Sequence, residues 1–129
     1  MPNLLKWNPG HYVMLGAHNL NVIDSVLKET AHHPFVKGFV IRANWPQVEQ
    51  GKGVYNFGLL DTAIARAASK GKRVFIMVGT KAFTTGGKAV PDYMRSAEYG
   101  GGAYRIAIKR GGYGENAALW NEKVRERMI

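Results

Sequence analysis

Residues 45–57 read WPQVEQGKGVYNF, and Leu60 and Asp61 follow shortly after. The apolar run before this stretch, residues 35–43, is typical of a buried strand. An alanine-rich segment, residues 59–70, follows with its apolar residues at helical spacing, and a second apolar run occupies residues 73–78. The region therefore predicts a buried strand, a loop, a helix and a second buried strand.

The rest of the chain continues this alternation. A short apolar run at residues 12–15 predicts a first strand, and residues 21–31 predict a helix, with Asn19 or Asn21 as its cap. The glycine-rich residues 79–115 predict a long loop. A last helix is predicted after Asn116, with a stripe formed by Ala117, Trp120, Val124 and Met128. The resulting order, βαβαβα, indicates a parallel sheet with right-handed crossovers.

The stretch around Trp45 resembles the link between strand 2 and helix 2 in the (β/α)8 glycoside hydrolases of clan A. The matching residues are Trp45, Val48, Glu49, Gly53, Tyr55, Phe57, Leu60 and Asp61. The resemblance implies an α/β fold, a partial (β/α)8 TIM barrel made of the first three βα units with strands 1, 2 and 3 parallel. A complete barrel needs about 200 residues or more. Residues 1–129 are therefore expected to be a single domain, the N-terminal fragment of such a barrel.

The resemblance also implies a function. The parent protein would hydrolyse O-glycosidic bonds of β-linked saccharides, using two glutamates at the ends of strands 4 and 7. No catalytic carboxylate is expected in this chain, because Glu122 falls within the helical pattern of residues 120–128. The fragment alone is therefore predicted to be inactive, and the family implies catalysis only for the parent.

Candidate site residues lie where the predicted parallel strands end, since ligands bind at the carboxyl ends of such strands. Arg42 ends the second strand, and the resemblance implies that it supports the missing nucleophile. Alternation along the strand places Arg42 with Val40, away from the face that carries Phe39, Ile41 and Ala43. The predicted substrate-binding residues are His18, Asn44, Trp45, Lys81 and Tyr93.

Three other residues of the Trp45 stretch are given structural roles. Glu49 is predicted to hold its own loop rather than to act on a substrate. Tyr55 and Phe57 are predicted to anchor the loop in the core.

The net charge of +9 leaves other partners open. Such a charge suits a polyanion, although the basic residues are spread along the chain. Residues 104–114 mix basic, aromatic and glycine residues, a composition that suits single-stranded nucleic acid. One alternative is therefore a small basic α/β module that binds nucleic acid, which is disfavoured. Another is a non-catalytic carbohydrate-binding remnant. The favoured partners are an oligo- or polysaccharide and the remainder of the barrel.

Several classes are not indicated by the sequence. It contains no cysteine, which excludes disulfides and thiolate metal sites. No other metal-ligand spacing is recognisable, and no cofactor is expected. No signal peptide or membrane-spanning segment is visible, so no membrane partner is expected and the localisation stays unknown.

Overall fold

The computed structural model describes residues 9–16 and 19–128. Its helices and strands, in chain order, are β1 (His11–Gly16), α1 (Leu20–Thr30), β2 (Val36–Asn44), α2 (Trp45–Val48), β3 (Glu49–Gly51), β4 (Val54–Tyr55), α3 (Gly58–Ser69), β5 (Arg73–Gly79), β6 (Ala103–Ala107), β7 (Tyr113–Ala117) and α4 (Glu122–Glu126). Two 3-10 helices, Asp92–Arg95 and Ala97–Tyr99, precede β6.

The described strands form three separate sheets. One is parallel, in the order β1-β2-β5, and the other two are the antiparallel pairs β3–β4 and β6–β7. The three strands predicted from apolar runs coincide with β1, β2 and β5 to within one residue at each end. Short apolar runs bounded by turn residues therefore located the parallel sheet.

The predicted fold class, a partial TIM barrel of three βα units, is wrong. A TIM barrel alternates each parallel strand with a helix. In the described residues β5 is instead followed by two 3-10 helices and an antiparallel hairpin, and β3–β4 adds a second antiparallel pair. The architecture is mixed α/β, because the glycine-rich segment pairs locally. Gly111 and Gly112 have φ of 103° and 77°, values that glycine adopts readily and that close the β6–β7 turn.

The last predicted helix is also misplaced. Asn116 lies within β7, opposite Tyr104 of β6, and it is Asn121 whose side chain caps α4 by accepting from the Val124 N–H. Of the predicted stripe, Val124 is fully buried, whereas the Trp120 side chain is 69% exposed. A helical spacing of apolar residues arose here by chance across a strand, a turn and a short helix.

The described part of the chain divides into two compact units, and the first contains residues 9–16, 19–41 and 59–76. Its buried apolar side chains come from α1, α3, β1 and β2. They are Leu15, Ile23, Leu27, Val36, Phe39, Ile41, Leu60, Ala63 and Ala67. The side chain of Asn19 caps α1 by accepting from the backbone N–H groups of Asn21 and Val22, as the sequence allowed.

The second unit contains residues 42–58 and 77–128. Its core cluster is formed by Trp45, Val90, Met94, Tyr99, Ala117 and Val124, with Tyr93 and Ala103 packed against it. Tyr55 and Phe57, predicted as core anchors, are instead 52% and 48% exposed, so that prediction is wrong. Their rings stack on each other, with centroids 5.8 Å apart. The prediction of one domain over residues 1–129 stays a prediction.

Strand β5 was predicted to be buried, and this is wrong for the described residues. It lies at an edge of the parallel sheet. Its apolar side chains are largely exposed, among them Phe75 at 50%, Ile76 at 46% and Val78 at 42%. An exposed apolar edge strand is a template for pairing with another chain. Strand β5 thus has the amino-acid composition of a buried strand, but its side chains are exposed.

We expect the purified chain to self-associate through β5, as its exposed apolar edge favours pairing between copies. Light scattering over a concentration series should show species larger than a monomer. Ile76→Lys should reduce this association, since a charge on an edge strand opposes pairing. The control is Ser69→Lys, which adds the same charge at an exposed helix end. A wild-type chain that stays monomeric at all concentrations would contradict the expectation.

Candidate functional site

The carboxyl ends of β2 and β5 bring polar side chains together. Arg42 and Asn44 lie near the end of β2, and Gly79 ends β5 beside them. A Cβ added to Gly79 would stand 3.1 Å from Asn44 Oδ1 and 3.3 Å from Arg42 Nε. Glycine at this position therefore leaves the space that the amide and the guanidinium occupy.

Arg42 lies on the more open face of β2, as strand alternation predicts. Phe39, Ile41 and Ala43 are buried, whereas Val40 and Arg42 are half-buried. Arg42 Nη2 donates to the Lys81 carbonyl oxygen over 3.1 Å. Within residues 9–16 and 19–128, no carboxylate oxygen lies within 4.0 Å of Arg42. The guanidinium thus keeps N–H donors for a ligand.

Phe83 completes this group, although it is not among the site residues predicted from the sequence. Its ring is 60% exposed, and the Arg42 Cζ lies 4.7 Å from the ring centroid. A guanidinium over an aromatic face is held by the ring quadrupole. The alternation of Lys81 and Phe83 in an extended segment was the available signal. We call Arg42, Asn44, Lys81 and Phe83 the strand-end group.

Lys81 also joins this group to the β6–β7 hairpin. The backbone around it pairs with β7: Lys81 bridges Asn116, the Ala82 N–H donates to the Glu115 carbonyl, and the Ala117 N–H donates to the Thr80 carbonyl, each bond 2.9 Å long. Residues 80–82 therefore lie along β7, on the side away from β6.

Trp45 and Tyr93, predicted as sugar-binding rings, belong to a cluster around Glu49. Trp45 is 4% exposed, and its Nε1 donates to Glu49 Oε2 over 2.9 Å. The Tyr93 hydroxyl donates to Glu49 Oε1 over 3.0 Å, and Arg127 Nη2 donates to the same oxygen over 2.6 Å. The Gly53 N–H donates to it over 3.1 Å, so the prediction that Glu49 holds its own loop is confirmed. In this arrangement the Trp45 ring packs in the core, and its contact with a saccharide stays a prediction.

The Glu49 cluster consists of Glu49 with Trp45, Gly53, Tyr93 and Arg127, and these partners stabilise the charge of the carboxylate. Burial alone would raise the pKa of Glu49, but hydrogen bonds from Gly53, Arg127, Trp45 and Tyr93 outweigh burial and lower that pKa below its usual value. The hydrogen bond to Glu49 raises the pKa of Arg127, and burial raises the pKa of Tyr93. Glu49 is therefore a carboxylate whose charge and lone pairs are already engaged.

Glu115 is engaged in a similar way. It forms two hydrogen bonds with the Arg95 guanidinium, one of them 2.9 Å long, and accepts the Ala89 N–H over 2.8 Å. The bond to Arg95 lowers the pKa of Glu115. Glu122 is exposed at the start of α4, in agreement with its predicted place on a solvated helix. Arginine side chains already bind Glu49 and Glu115, and Glu122 is exposed on α4. None of these three carboxylates is placed as a general acid or a nucleophile would be.

The predicted site residues are thus divided. Arg42, Asn44 and Lys81 come together, Trp45 and Tyr93 lie in the Glu49 cluster, and His18 falls outside the described residues. Among the residues that the structure describes, no three His, Asp or Glu side chains are grouped to bind a metal ion. No described helix is long and apolar enough to cross a bilayer.

No model of a known protein family matches this sequence, and a search of curated proteins gives no match either.

Proposed function

We propose that this chain is a carbohydrate-binding protein of glycoside hydrolase-like character, which binds β-linked saccharides at the strand-end group and does not cleave them. What supports it is one observation: Arg42 stands over the exposed Phe83 ring with free donors. Saccharide sites combine an apolar ring face with a few fixed polar groups, which is the composition of this group.

The Trp45 motif lends independent support. Residues of the motif are hydrogen-bonded to one another, since Glu49 accepts from both the Trp45 indole N–H and the Gly53 backbone N–H. The match to the glycosidase pattern therefore corresponds to a physical unit that fixes the loop after β2. This loop begins directly after Asn44, whose N–H donates to Gln47 Oε1 over 2.7 Å.

The alternative of a nucleic-acid-binding module draws on the basic hairpin, where Arg105 lies 4.1 Å from the Tyr113 ring centroid. That stack is a candidate contact for a base and phosphate. It is less favoured, because Glu115 and its partner Arg95 share that face of the hairpin with Arg105.

Binding of β-linked tetrasaccharides, measured by isothermal titration calorimetry, tests the proposal. We expect Arg42→Gln to weaken binding at least about tenfold, since a hydrogen bond to a charged group contributes about 1.5–3 kcal/mol. Arg110→Gln removes the same charge at the hairpin turn and should leave affinity unchanged. Reducing-sugar assays should show no turnover. Turnover that disappears in Glu49→Gln or Glu122→Gln, or affinity that is equal in Arg42→Gln and wild type, would refute the proposal.

A further inference from the structure

We propose that one face of the β6–β7 hairpin is a second saccharide subsite, and that the sugar it takes is acidic. This face, which we call the platform, carries Lys81, Asn116, Tyr104 and Trp120. The inference rests on the proposed function, because it names the class of saccharide that the strand-end group would share with the platform.

Backbone pairing places the platform residues in a row. Asn116 stands directly opposite Tyr104 in the antiparallel register, and Lys81 bridges Asn116 from the other side. Directly opposed residues of antiparallel strands project to the same face. Lys81, Asn116 and Tyr104 therefore point the same way, and the row begins at the residue whose carbonyl Arg42 binds.

Two exposed rings form the apolar part of the platform. Tyr104 is 40% exposed and Trp120 is 69% exposed. Their centroids are 4.9 Å apart, and their planes are tilted by 43°. A pyranose ring has an apolar C–H face that packs on such a surface. Because the two planes are tilted, one sugar ring can pack on the Trp120 indole while its edge lies beside the Tyr104 ring.

The rings are held in place before any ligand arrives. Asn116 Nδ2 contacts the Tyr104 hydroxyl oxygen at 3.1 Å and donates to it. Arg125 Nη1 donates to the carbonyls of Leu119 and Trp120 over 2.8 and 2.9 Å, which fixes the backbone that carries the indole. A rigid aromatic residue loses little conformational entropy on binding, and this favours a recognition role.

Charge on this face points to an acidic sugar. Within the described residues, neither Lys81 nor Arg42 has a carboxylate oxygen within 4.0 Å. Glu115 is next to Asn116 in β7, so it projects to the opposite face, where Arg95 binds it. Within the described residues, Lys81 and Arg42 are thus two cations that form no ion pair, and the carboxylate of a uronate residue complements them.

A polynucleotide fits this face less well. Arg105 stands opposite Glu115 and so projects away from the platform. The phosphates of a nucleic acid are bound by several cations along the strand. The cations placed so far are Lys81 on the platform, Arg42 over Phe83 and Arg125 at the Trp120 backbone, and this small number matches a short chain with few charges.

Calorimetry with a matched pair of probes tests the inference: a β-1,4-linked mannuronate tetrasaccharide and its neutral mannose counterpart. We expect wild type to bind the uronate about tenfold more tightly than the neutral sugar. Trp120→Ala should weaken uronate binding roughly tenfold, as expected for losing the burial of an indole face. Lys81→Gln should reduce the preference for the uronate. Arg105→Gln, on the opposite face, is the matched control and should change neither.

The outcomes separate this inference from the proposed function. If neither tetrasaccharide binds, the proposed function fails and this inference fails with it. If saccharide binding depends on Arg42 but is unchanged in Trp120→Ala, only the platform is refuted. Equal affinity for the two sugars refutes the acidic class. Tighter, Trp120-dependent binding of a single-stranded oligonucleotide would refute the saccharide assignment of this face. Thermal unfolding of Trp120→Ala should match wild type, as expected for such an exposed side chain.

Discussion

Glu49→Ala is expected to lower the free energy of unfolding by about 3 kcal/mol, as removal of one partner from a buried ion pair does. The substitution leaves the Arg127 guanidinium, the Tyr93 hydroxyl and the Trp45 indole N–H without their acceptor. Urea unfolding at neutral pH measures the loss. Glu122→Ala removes an exposed carboxylate and should change stability by about 0.5 kcal/mol or less.

The same variant predicts a pH dependence. The folded-state pKa of Glu49 is lowered, so its stabilising contribution is complete above its unfolded pKa of about 4.3 and is lost as pH falls through the folded value. The stability difference between wild type and Glu49→Ala should therefore shrink between pH 7 and pH 3. A difference that stays constant, or that is absent at pH 7, would show that Glu49 is not the ionised centre of this cluster.

The second large effect is expected from Gly38→Ala in β2. A Cβ at this position would lie 2.1 Å from the Arg73 carbonyl oxygen and 2.9 Å from Tyr12 Cε1. The nearest obstacle is backbone, which cannot rotate away as a side chain can. Overpacking typically costs about 1–3 kcal/mol, and a backbone clash belongs at the upper end of that range.

Gly51→Ala provides the comparison for Gly38→Ala. The nearest atoms to its added Cβ belong to Val54 and lie 3.6 Å away, which is an ordinary contact. Circular dichroism unfolding should place Gly38→Ala well below wild type and Gly51→Ala close to it. Similar stability of the two variants would show that β2 can shift away from Arg73.

Apolar runs made the parallel strands predictable, but they could not show what covers them. Residues 73–78 have the composition of a buried strand because nearly every side chain is apolar, yet β5 is an exposed edge. Burial depends on which other segments pack against a strand, and a local pattern does not contain that information. The assignment to a TIM barrel failed for the same reason, as it extended three correct strands into a family architecture.

The hairpin was missed because its strands lack a hydrophobic alternation. Strand β7 reads YGENA, and its register is set by the pairing with β6 and by two glycines with positive φ. The platform depends on this pairing, so the contact between Tyr104 and Trp120 could not be predicted beforehand.

Residue type was an incomplete guide to the candidate site. Arg42, Asn44 and Lys81 follow from the rule about strand ends, which is a property of chain direction. Trp45 and Tyr93 were selected as aromatic residues near those ends, but their polar atoms bind Glu49. Only the three-dimensional contacts distinguish an aromatic ring that packs inward from one, such as Phe83, that remains open.

The ion pair of Glu49 with Arg127 has a consequence for the order of folding. It joins residues 78 positions apart, whereas Tyr104 and Asn116 are separated by 12. Contacts between distant residues require closure of a longer loop, so local contacts form with a smaller entropic cost. The hairpin that carries the platform can therefore assemble early. Enclosure of the Glu49 carboxylate requires Arg127, which follows α4, and so it waits until residues 49 and 127 have been brought together.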